Sequence, residues 1–200
     1  GKRNDGLNLI DWAIKNGYTV VYTKDELLAT SPEVKKILGV FASRNTFNDK
    51  TEEVLDSLGL PNWSQTAPSV AEMTNFALKF FRNKGQFFLV VEEEGTDNFG
   101  NKNNANAKLS ALDRADDAIG IVINFINENP NTTLVTAADS EAGGLEVSGY
   151  EIDNLDANAP LPARDMNGSP IDGINGTGTL PFISKPDKSG ERCQIPVLFR

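Results

Sequence analysis

Apolar positions along this chain follow two rhythms, short unbroken runs and stripes spaced three and four residues apart. The runs fall at residues 18–22, 38–41, 87–91 and 132–137, and their β-branched and aromatic content predicts strands. The stripes predict helices at 6–16, 24–28, 50–58, from Val70 onward, and from about 104 to 127. Leu9, Trp12 (or Ala13), Ile10 and Ile14 fall at helical spacing in the first helix, and Gly17 is placed to end it. Ser69 with Glu72 three residues later is a capping box opening the fourth, whose predicted buried face is Val70, Met73, Ala77 and Phe80. The longest helix has a predicted stripe of Leu112, Ala115, Ile119, Val122 and Ile126. Strands alternating with helices predict an α/β layered fold, with a mostly parallel central sheet flanked by helices.

The pattern weakens twice. Residues 42–66 are polar and turn-rich and read as an excursion carrying one short helix. Residues 151–190 are rich in Gly, Pro, Asn and Asp, as in functional loops or insertions, before a final run at 194–199. The expected organisation is therefore one domain, with an α/β core portion over 1–150 and an irregular insertion or rim over 151–200 that leads into a last strand.

Composition narrows the chemistry. A net charge of −9 without any basic, aromatic-laced cluster argues against nucleic-acid binding. No apolar run approaches the roughly 18 residues of a membrane-spanning helix. Cys193 is the single cysteine, which leaves no internal disulfide. The chain has no histidine, so histidine bases, histidine triads and the usual zinc sites are excluded. Any metal must be held by oxygen, which favours Mg²⁺ or Ca²⁺.

Two predicted strands end in acid. Residues 87–91 lead into Glu92, Glu93, Glu94 and Asp97, and residues 132–137 lead to Asp139 and Glu141. Sites in open α/β sheets form just beyond such carboxyl ends, so these acids point to a divalent-cation site. Glu93 and Glu94 also read simply as solvated acids. Asn98 and Asn101 offer amide oxygens or turn the loop, while Asn103 or Asn104 caps the following helix. Ser140 reads as a turn residue or donor before it reads as a nucleophile. Asp113, Arg114, Asp116 and Asp117 read as a solvated helix face, and the glycines of 167–178 lack the strand and helix of a phosphate cradle.

Four stretches, in order, resemble the alkaline phosphatase family. These are Asn4-Asp5-Gly6-Leu7-Asn8-Leu9 with Asn16-Gly17-Tyr18, Ala67-Pro68-Ser69-Val70-Ala71-Glu72-Met73-Thr74, Phe88-Leu89-Val90-Val91-Glu92 with Asp97, and residues 134–139. The resemblance implies metal-dependent hydrolysis of phosphate monoesters through a phosphoserine, a homodimer, and a periplasmic or extracellular location. It places Glu92 on the family's magnesium ligand, Asp97 on a zinc-binding carboxylate and Asp139 on the second zinc's aspartate. Two family histidines are replaced here, by Asn101 and Ser140, which implies a site rebuilt for oxygen-loving ions, with Asn98, Asn101, Ser140 or Glu141 recruited, or one that has lost its metals. The family's serine nucleophile, first metal-binding aspartate and phosphate-clamping arginine have no counterpart here, so the first strands of the sheet are expected upstream. The alternative is a non-catalytic secreted or surface scaffold that kept the fold and binds metal or a partner protein.

Overall fold

The computed structural model describes residues 4–102 and 104–138, with the strand residues 146–147 and 194–195. Its elements are α1 (Leu9–Lys15), β1 (Thr19–Val21), α2 (Lys24–Ala29), β2 (Ile37–Gly39), α3 (Glu52–Leu58), α4 (Val70–Phe81), α5 (Gly95–Asn101), α6 (Ala105–Glu128), β3 (Glu146–Val147) and β4 (Gln194–Ile195). They fall into two compact units. One holds the residues up to Phe47 with Trp63–Glu92 and Arg114–Leu134; the other holds Asn48–Asn62, Glu93–Asp113 and the residues from Val135 on.

In the first unit, helix ends are written in side chains. Asn8 accepts the Ile10 and Asp11 amides at the start of α1, and Gly17, at φ +80°, turns the chain into β1. β1 pairs with β2 in parallel, Val20 opposite Leu38, with α2 as the crossover between them. In the second unit, β3 and β4 are likewise parallel. The predicted capping box is present at α4, where Ser69 accepts the Glu72 amide and Glu72 accepts the Ser69 amide at 2.9 Å. Glu72 also pairs with Lys24 of α2. Burial alone pushes the Glu72 carboxyl up, but its bonds to Lys24 and Ser69 outweigh that and hold it below its ordinary value of 4.5. The stability it contributes is therefore present above that value and lost as the pH falls below it. Ser69→Ala should lower stability by about 1 kcal/mol, read from denaturant midpoints, and an unchanged midpoint would mean the box contributes nothing.

Two stripes differ from expectation. α4 buries Val70, Thr74 and Leu78, while Met73, Ala77 and Phe80 are half-buried. Phe80 belongs instead to a chain of rings, Phe76, Phe80, Phe81, Phe87 and Phe125, with centroids 4.9–6.5 Å apart along it. In α6 the fully buried positions are the alanines 105, 107, 111 and 118, and Leu112 is exposed. One residue turns a helix by about 100°, so a face centred on Ala111 carries Leu112 outward.

The runs at 87–91 and 132–137 are the larger correction: among the described residues neither is assigned to a strand or paired in a sheet. Phe87 stacks on Phe81 and meets Phe125, but Phe88 is 89% and Val90 73% exposed. Phe87 is packed on rings and Leu89 is half-buried, while Phe88, Val90 and Val91 face outward. Glu92 follows it and is exposed too, rather than leaving a buried strand.

In the second unit, α3 starts at the Thr51 cap and stops at Gly59, left-handed at φ +59°. The fully buried Asn104 ties three pieces together. Its amide nitrogen donates to the Phe99 carbonyl at 2.8 Å, its Nδ2 to the Lys50 carbonyl at 3.2 Å, and its Oδ1 caps α6 by accepting the Ala107 amide at 2.9 Å. Capping by Asn104 is thus as the sequence suggested, with a tertiary role added. Asn103 lies outside the described residues.

Candidate functional site

The acidic stretch after residue 91 becomes helix α5 rather than an open loop. Glu93 initiates it: its Oε1 accepts the Gly95 amide at 3.0 Å and its backbone carbonyl accepts the Thr96 hydroxyl at 2.9 Å. A carboxylate there also complements the positive end of the helix. Phe99, fully buried, anchors one side of α5 together with Gly95 and Gly100.

The spacing i, i+3, i+4, i+7 puts Glu94, Asp97, Asn98 and Asn101 along one face. Asn101 Nδ2 donates to both Asp97 oxygens, at 3.1 Å each. With its amide nitrogen turned toward the acids, Asn98 donates to Glu94 Oε1 at 3.1 Å and to Asp97 Oδ2 at 3.2 Å. The face is a ladder in which carboxylates accept and amides donate. Its direction is set by the anchors behind it, so Asp97 is held half-buried and oriented.

Of the sequence-predicted site residues, this face unites Asp97, Asn98 and Asn101 and adds Glu94, whose place in the sequence suggests only a solvated acid. The signal was available, since the four spacings are helical once 95–101 is read as helix. Asp139, Ser140 and Glu141 lie outside the described residues. Among the described residues no three acidic, histidine or cysteine side chains converge as a metal-binding group.

The donor chemistry decides which ion suits the face. With no histidine in the chain, and with Cys193 outside the described residues, the ladder offers only carboxylate and amide groups. Asn101 presents its Nδ2 to Asp97, and turning that amide about its last bond presents Oδ1 instead. An all-oxygen set of this kind fits Mg²⁺ or Ca²⁺ and does not fit a zinc pair.

A family model described as alkaline phosphatase matches residues 1–170. The chain is 28% identical over 150 residues to alkaline phosphatase 3 of Bacillus subtilis, covering 74% of this chain and 29% of that protein. It is 30% identical over 155 residues to the repressible alkaline phosphatase of Saccharomyces cerevisiae, covering 74% and 27% respectively. Among solved structures, Thermus thermophilus alkaline phosphatase superposes with a TM-score of 0.51 at 31% identity, over 64% of this chain and 25% of that one. The chain therefore spans less than a third of the length of these relatives.

Proposed function

The chain belongs to the alkaline phosphatase family, and from that premise we propose that it is part of a divalent-metal-dependent phosphomonoester hydrolase with an oxygen-ligand cation site. The observation that carries this reading is the Asp97 carboxylate held between two asparagine amides on one face of α5. Asp97 is the ligand, and Asn101 and Asn98 orient it. The family resemblance also assigns ligand roles to Glu92 and Asp139, with Ser140 and Glu141 following Asp139 in the sequence. The ion is Mg²⁺ or Ca²⁺ rather than zinc. A bound divalent cation supplies charge neutralisation at the phosphoryl oxygens and a lower pKa for the attacking oxygen. The nucleophile comes from sequence outside these residues.

In the same reading, 1–150 form the core portion and 151–200 a rim of one domain. The substrate is a small phosphomonoester, the complete protein is a homodimer, and it works in the periplasm or outside the cell. Among the described residues no helix is long and apolar enough to cross a membrane.

The absence of histidine equally favours a second reading, a non-catalytic scaffold that binds metal for stability. Hydrolysis of p-nitrophenyl phosphate by the complete polypeptide separates the two. The enzyme reading expects turnover that chelation abolishes and that Mg²⁺ or Ca²⁺ restores better than Zn²⁺. Turnover insensitive to chelators would remove the metal from the mechanism. No turnover, with Ca²⁺ still raising the melting temperature, would leave the scaffold.

A further inference from the structure

A buried carboxyl that this chemistry does not use sits where α3 meets the start of α6. Glu52, the first residue of α3, is only 7% exposed. Its Oε1 accepts a long hydrogen bond from Asn106 Nδ2 at 3.4 Å, and its Oε2 is buried with no hydrogen-bond partner. The charges that act on it, Glu53 and Asp56 of its own helix, have the same sign. From α6 the group that reaches it is the neutral Asn106 amide. In the preceding loop, Asp49 has a buried Oδ1 that is also without a partner, and Lys50 is exposed. Among the described residues no lysine or arginine forms an ion pair with Glu52.

We propose that Glu52 is a proton-operated latch: with its proton it holds the start of α3 against the start of α6, and without it that junction loosens. A protonated carboxyl keeps an acceptor for Asn106 and needs no countercharge. An ionised one places a desolvated charge beside two like charges, with one weak donor in compensation. The same junction carries Asn104, which joins the Lys50 carbonyl to the Phe99 carbonyl of α5. Loosening there reaches the helix that presents Asp97, and the latch acts whether or not a cation is bound.

Burial above all, with the Glu53 and Asp56 charges, raises the Glu52 carboxyl above its ordinary 4.5, the Asn106 bond opposing in part. The folded state then keeps this proton to higher pH than the unfolded chain does. The latch's contribution to stability is complete below 4.5 and is lost as the pH climbs through the folded value.

The test is hydrogen exchange at residues 52–55 and 105–108, corrected for intrinsic rates, together with thermal melts at about pH 5 and about pH 8. Wild type should exchange faster and melt lower at the higher pH, and Glu52→Gln, which cannot ionise, should flatten both changes. Asn106→Ala, which removes the one donor, should steepen them, and it serves as the test if the glutamine variant does not fold. Equal pH dependence in wild type and the variant examined would overturn the latch.

Discussion

Phe99→Ala is expected to lower folding stability by about 3–5 kcal/mol, a large share of the roughly 5–15 kcal/mol that holds a typical domain together. The ring is fully buried, and its own backbone carbonyl is the acceptor for Asn104. Removing it opens a cavity behind α5 at the point where α5, the Lys50 loop and α6 are joined. If the two compact units melt separately, the loss should fall on the one that contains α5. Phe88→Ala is the matched control, because that ring is already exposed and its truncation should be near neutral. Denaturant unfolding of the two variants decides the matter, and a Phe99 variant within about 1 kcal/mol of wild type would show that the site collapses without cost.

Asp97→Ala in the complete polypeptide is expected to reduce kcat/KM by at least about 100-fold, and Asn101→Ala by about 10- to 100-fold, as befits an orienting partner. The aspartate supplies the charge, and the asparagine holds it through both oxygens. Asp97→Asn keeps the volume and loses the charge, so it should fail nearly as badly as alanine. Divalent-ion affinity from calorimetry should fall in the same order. If the asparagine variant kept normal turnover and ion binding, Asp97 would be a structural part of α5 and the cation would have to be held elsewhere.

The features legible in the sequence were those with a local cause. Ser69 caps a helix because a short oxygen-bearing side chain reaches the next turn without help from the fold. The runs that became β1 and β2 lie beside each other in the chain, joined by one helix. Residues 87–91 have equally strong strand composition, but a strand also needs a paired neighbour, which composition does not specify. The helix α5 was hidden because Gly95, Asn98, Gly100 and Asn101 have poor helix propensity; the Glu93 bonds and the burial of Phe99 supply what propensity does not. For the site, the resemblance put Asp97 and Asn101 four residues apart, and the fold turned that spacing into a direct contact. Glu52 was illegible, since nothing around it in the sequence says that a glutamate in a helix's first turn will be buried rather than solvated.

The exposed side chains of Phe88, Val90 and Val91 have a meaning beyond packing. An apolar segment with strand-forming composition, open at these positions, is where chains adhere to each other and begin to aggregate. Glu92, Glu93 and Glu94 follow it without a gap. Glu92 and Glu94, both exposed, act as gatekeepers: any second copy docking in register would bring these carboxylates against their like. Net repulsion between copies also weakens as the solution approaches the sequence isoelectric point near 4.6, and acid is the condition in which this polypeptide should be kept dilute.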